Sequence, residues 1–180
     1  MQPVEQIVYA ALEGGGDRAV NIDASQVILD EKVRLKCRIP VCNGYGHSLT
    51  CPPNTPTVEE FKKILSLYSE AILVHVKAKG NSEEETTTAE LQVQKLMGDL
   101  EIKALRAGHN FAAGFAAGPC RFCQECVGIK SGQRCRHPFH ARPSTTAVGI
   151  NIYKTSENAG IPLRPLDREH LYLAGLLLLS

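Results

Sequence analysis

Two hydrophobic periods alternate along this chain of 180 residues. Between residues 3 and 13, Val4, Ile7, Val8, Ala11 and Leu12 recur at helical spacing, and Gly14, Gly15 and Gly16 stop the run, which predicts a first helix. Residues 19–29 alternate as a strand through Val20, Ile22, Ala24 and Val27. Thr57 with Glu60 reads as a capping box, opening a helix with Phe61, Ile64, Leu65 and Tyr68 on one side. Residues 71–78 are a continuous apolar run, the signature of a central strand. Residues 80–88 are acidic and polar, read as a solvated loop or the first turn of a helix. A long amphipathic helix over 89–107 follows, carrying Leu91, Val93, Leu96, Met97, Leu100 and Leu105. The small residues of 111–118 suggest a strand that lets another element approach closely. Ser144 reads as an N-cap and 145–159 as a broken helix ended at Gly160. The run from Leu171 to Leu179 is too short for a bilayer, which takes about 20 residues, and predicts a buried final strand. The expected fold is α/β or α+β, one domain over 1–180, with about four strands, flanking helices and two cysteine-rich loops.

Composition narrows the function more than the fold. A net charge of +1 gives no case for a nucleic-acid or membrane partner. With no Trp, five Phe and five Tyr, base-stacking platforms are poorly supplied. No charged-then-apolar segment precedes Val4, so a cytoplasmic location is expected. A disulfide framework then loses its support, and an odd count of seven cysteines argues against full pairing.

Those cysteines carry the chemistry. One group is Cys37, Cys42 and Cys51, with Pro52 directly after; the other is Cys120, Cys123, Cys126 and Cys135. Clustered thiols outside an oxidising compartment are metal ligands, since several thiolates can close around a soft metal. The two-residue gaps of the second group match the first three ligands of bacterial ferredoxins, whose fourth cysteine serves another cluster. An iron–sulfur cluster is therefore expected, of the [4Fe-4S] type, one or two in number; zinc is the alternative. Cys135 or Cys51 can supply the fourth corner of the second site. Three thiols in the first group leave a position for Cys135, for an exogenous molecule or for a non-cysteine ligand such as His47, weighed against its being a solvated loop histidine. The closer spacing of radical enzymes that bind S-adenosylmethionine is absent, and Gly14 to Gly16 lack the pattern of a phosphate loop. His137 and His140 are candidates to hydrogen-bond a cluster sulfur, Glu125 to move protons, and Arg121, Arg134, Arg136 and Arg142 to place positive charge beside it, each weighed against a plain surface role.

The segments Cys37 to Pro53, Gly118 to Cys126, Cys135 to Pro138 and Arg142 to Ser144, taken in that order, resemble a cysteine-rich family of predicted metal-binding proteins found mainly in anaerobic bacteria and archaea, methanogens included. The resemblance covers nearly the whole chain. It implies cytoplasmic metal binding and anaerobic redox biology. Thr145 or Thr146 stands where that family carries an acidic residue after Arg-Pro-Ser.

Two classes of function stay open. The first is an iron–sulfur protein that transfers electrons to, or organises, a partner enzyme; no Ser/His/Asp or paired-carboxylate site competes with it. The second is a zinc-binding structural protein, or an enzyme or metal-delivery factor using an open position at Cys37, Cys42 and Cys51. The two cysteine loops are also expected to meet in space, carried there by two strands running the same way.

Overall fold

The computed structural model describes residues 3–164 and 171–180. Six α-helices and four strands alternate in it. The helices are α1 (Pro3–Glu13), α2 (Glu31–Leu35), α3 (Val58–Leu65), α4 (Glu83–Arg106), α5 (Val127–Ser131) and α6 (Ile152–Asn158). The strands are β1 (Arg18–Asp23), β2 (Glu70–Lys77), β3 (Ala113–Phe115) and β4 (Tyr172–Leu179). They form one sheet in the order β1-β2-β4-β3, and every neighbouring pair is antiparallel. The fold is therefore α+β.

The two continuous apolar runs of the sequence are the two central strands, because both of their faces are covered. On one face Ile72, Val74 and Val76 of β2 and Leu177 and Leu179 of β4 meet Ile7 and Ala11 of α1 and Val93, Met97 and Leu100 of α4. On the other, Leu73, Leu176 and Leu178 meet Phe61 and Leu65 of α3, together with Val148 and Ile150. Phe61 meets Phe115 edge to face, with centroids 5.0 Å apart.

Caps set the element boundaries. Thr57 Oγ1 accepts from the Glu60 amide at 3.2 Å, and Glu60 Oε2 accepts from the Thr57 amide at 2.7 Å. Ser82 and Glu85 repeat this box, so α4 starts at Glu83 rather than Ala89 and Glu83, Glu84 and Glu85 form its first turn. β1 ends earlier than the alternation suggests. The Asp23 carboxylate takes the Ser25 amide at 2.7 Å, and the chain turns into a 3-10 helix over Ala24–Gln26. The broken helix of the sequence is a 3-10 turn, Thr146–Val148, a left-handed Gly149 (φ 81°), and then α6. Ser144 Oγ accepts from the Ala147 amide at 3.0 Å at the start of that turn. No helix among the described residues is long and apolar enough to cross a membrane.

Candidate metal centre

The strands that precede the two cysteine loops, β1 and β3, lie at opposite edges of the sheet and run in opposite directions. The expected delivery by two strands running the same way is thus wrong. The loops nevertheless meet, because one segment, 143–151, holds the approach to each. Ahead of the second loop, the Ala116 amide donates to Pro143 O at 2.8 Å and the Thr145 amide to Ala116 O at 2.9 Å. Ahead of the first, the Asp30 amide donates to Gly149 O at 2.8 Å and the Asn151 amide to Ile28 O at 2.7 Å. The far end of the first loop is tied to the same segment by Thr55 Oγ1, which donates to Ala147 O at 3.2 Å. These backbone pairs leave no alternation in the side chains, which is why sequence periodicity does not reveal them.

Contact between the loops is close. A Cβ on Gly44 would lie 2.8 Å from Cys51 Sγ and 3.0 Å from Pro119 Cβ, so only glycine fits there. A Cβ on Gly128 would run into Leu49, its Cδ1 at 2.2 Å. A cavity of about 620 Å³ opens between the loops, lined by Cys120, Cys123, Cys126 and Cys135 on one side and by Asn43, Gly44, His47 and Ser48 on the other.

All seven thiols are free of disulfides. Burial pushes the Cys51 thiol up to about 11; a hydrogen bond from Thr50 opposes this, and the neighbouring thiols Cys42, Cys37 and Cys120 add to it. Burial also raises Cys37, with Cys42 adding to it and the Arg34 charge opposing. Cys120 is raised by burial against a main-chain hydrogen bond from Phe122, with Cys135, Cys123 and Cys126 adding. These influences link the groups through Cys51 and Cys120. Cys126 behaves differently: burial raises it, but the main-chain amides of Leu49, Ile129 and Gly128 together outweigh burial and hold the thiol below its ordinary value. Cys135 Sγ accepts from the His137 amide at 3.3 Å. Amides turned on sulfur favour the thiolate, the form in which cysteine binds metal. Among the described residues, no three Cys, His, Asp or Glu side chains converge on a single ion position.

The remaining expected residues sort by their partners. His47 is exposed on the cavity wall facing the second group. The His137 ring stacks on Phe122 (5.2 Å), so it is the His137 main chain that reaches sulfur. His140 Nε2 lies 3.3 Å from Asp99 Oδ1. Glu125 pairs with Lys130, and Arg121 with Glu90. Arg142 is not a charge beside the thiols. It is buried against Glu101 and donates to three carbonyls of the loop after Cys135. Its main chain also exchanges two hydrogen bonds with the buried Gln94 side chain, at 3.2 and 3.3 Å. Sequence reading missed Gln94 and Glu101. Their signal was a pair of polar residues seven apart, two turns along the same side of an amphipathic helix, within or beside its apolar face.

Residues 20–179 match the family model described as predicted metal-binding protein (DUF2284). No curated protein and no solved structure matches the chain.

Proposed function

The chain belongs to that predicted metal-binding family, and from this premise we propose that it is an iron–sulfur protein that transfers electrons to, or organises, a partner enzyme. The observation that carries the reading is the set of main-chain amides directed at sulfur: Leu49, Gly128 and Ile129 at Cys126, Phe122 at Cys120 and His137 at Cys135. Loops that turn amides onto several neighbouring thiols are suited to thiolate ligands, and such hydrogen bonds set a cluster's potential.

The donor set fits. Cys120, Cys123, Cys126 and Cys135 line one cavity, and the first three have the ferredoxin-like spacing, so these four are the residues that would hold a [4Fe-4S] cluster. Cys37, Cys42 and Cys51 would hold a second centre, with Cys120 as the thiol of the other group that acts on Cys51. A bound cluster supplies one-electron chemistry. The chain's own part is to desolvate the thiols, to offer amides to sulfur, and to bring the groups together through Gly44 and Pro119. Leu49, in the first loop, donates to Cys126, in the second, so order in one loop supports ligation in the other.

The test is an anaerobic redox titration of the purified protein. Visible charge-transfer absorption that bleaches on reduction and returns on oxidation is expected. A colourless protein with stoichiometric zinc would favour the structural alternative and end the redox reading. A cluster that exchanges with an added small ligand at the three-cysteine group would move the reading toward catalysis or metal delivery.

A further inference from the structure

Charge is distributed very unevenly. Residues 31–53 hold four Lys and Arg against one acidic residue, and residues 119–142 hold five against one. These two segments therefore carry +7, and the rest of the chain −6, within a total of +1. The structure brings both segments to one place. The stretch 43–53 is a shared wall: Asn43, Gly44 and His47 face the cavity over the second cysteine group, while Tyr45, Pro52 and Pro53 face a neighbouring groove of about 530 Å³. Lys32, Arg34 and Arg38 line that groove, and Arg121, Lys130 and Arg136 line the cavity.

Two of these charges are neutralised, since Arg121 pairs with Glu90 and Lys130 with Glu125. Arg34 is half-buried and is the cation that acts on Cys37. Lys32, Lys36, Arg38, Arg134 and Arg136 are exposed, and among the described residues none of them forms an ion pair. Beside Arg38 stand two apolar side chains open to solvent, Ile39 at 63% and Val41 at 72% exposure. Glu31 also lines the groove, so the unpaired charge there is predominantly, not wholly, positive; apolar contacts beside a net excess of one sign are what a transient interface with a partner of opposite charge presents.

We infer that the face around the two cysteine loops is a docking surface for an acidic, electron-carrying protein, with Ile39 and Val41 as its apolar centre and Lys32, Lys36, Arg38, Arg134 and Arg136 as its basic rim. The partner's redox character rests on the iron–sulfur reading; the acidity of its surface rests on the charge distribution alone. A nucleic acid would meet the same charges, but single strands bind by stacking successive bases on a series of aromatic faces; Phe122 is already stacked on His137, and the other Phe and Tyr rings of the two segments are the exposed Phe139 and the half-buried Tyr45, two rings rather than a platform. Electrostatic steering of this kind speeds encounter and is weakened by salt.

The experiment uses the full-length, anaerobically purified protein and three probes: an acidic plant-type ferredoxin, a basic cytochrome c and a single-stranded oligothymidine. Binding is measured by calorimetry or surface plasmon resonance at low and at moderate salt. The ferredoxin is expected to bind, to weaken roughly tenfold as the Debye length shrinks below about 10 Å, and to weaken roughly tenfold or more in Lys32→Glu/Arg38→Glu/Arg134→Glu. The control Lys103→Glu/Arg106→Glu, at the end of α4, should leave it unchanged. Cytochrome c should not bind. Iron content is determined on every sample, which separates the two claims: docking by an iron-free protein refutes only the cluster, and an iron-loaded protein that ignores ferredoxin refutes only the surface. Should the triple variant fail to fold, the wild-type salt dependence and the α4 control still decide. Salt-independent binding, equal loss in the control, or oligothymidine binding tighter than ferredoxin would overturn the proposal.

Discussion

Arg142 and Glu101 form a two-pronged ion pair, with Nε 2.9 Å from Oε2 and Nη2 2.7 Å from Oε1. Neither end is spent on the pair alone. Arg142 also donates to Pro138 O, Phe139 O and Ala141 O, and Glu101 Oε2 accepts from the Gly114 amide at 2.6 Å. One contact thus joins α4, β3 and the loop that follows Cys135. Gly98 lets the helix come close enough for this, since a Cβ there would lie 2.7 Å from Phe139 O.

Removing one partner leaves a largely buried charge without its counter-ion. Arg142→Ala should therefore cost about 3–5 kcal/mol of stability. Arg142→Lys should recover little, because an ammonium cannot serve both carboxylate oxygens and three carbonyls in one plane. Urea denaturation measures both. A loss below about 1 kcal/mol would mean that the loop is held by something other than this pair.

The junction of the two loops has its own probe. Gly44→Ala forces either Cys51 or Pro119 to shift, at an expected cost of about 1–3 kcal/mol. Metal content should fall at both groups, because the substitution drives their loops apart. Normal metal content with an unchanged melting temperature would show that the groups do not depend on each other.

Much of this arrangement was legible in the sequence, for identifiable reasons. The Thr57–Glu60 capping box and the apolar runs of β2 and β4 express local rules, and the structure follows them. Strand direction was not legible. A run such as residues 71–78 reports that both faces are covered, and an antiparallel strand between two helical layers satisfies that as well as a parallel one does. The meeting of the loops was expected, but for the wrong reason. Its cause, the pairing of 143–151 with Ile28, Asp30 and Ala116, is made by main-chain groups that any residue carries. Glycine spacing at Gly44 and the amides around Cys126 are equally invisible in composition, while the grouping of the cysteines into two loops was plain from spacing.

Cys126→Ser removes the thiol that three amides serve. Metal at the second group should be lost and the melting temperature lowered, since ligation and loop order are coupled. Cys123→Ser should act likewise. Metal analysis alongside calorimetric melting checks this; retention of both properties would remove the 120–135 loop from the ligand set.

His75 gives the fold a pH dependence unrelated to metal. It is buried in β2, with Nε2 3.0 Å from Ser156 Oγ, and burial, helped by the Arg18 charge, pushes its pKa down to about 4. The unfolded chain takes up the proton near the ordinary value of about 6.5, whereas the folded chain resists it. Stability from this residue is complete above about pH 6.5 and is lost progressively as pH falls toward about 4, by up to about 3 kcal/mol. Denaturation at a series of pH values should show a steeper decline in the wild type than in His75→Gln. Parallel curves would show that His75 is not excluded from protonation in the folded state.

The most direct measurement is iron and acid-labile sulfide per chain in protein purified without oxygen, with zinc determined on the same sample. The account predicts iron and sulfide in about equal amounts, about four of each for one [4Fe-4S] centre and more if the Cys37, Cys42 and Cys51 group is also filled, with zinc well below one per chain. One or more zinc ions per chain with no labile sulfide would contradict it.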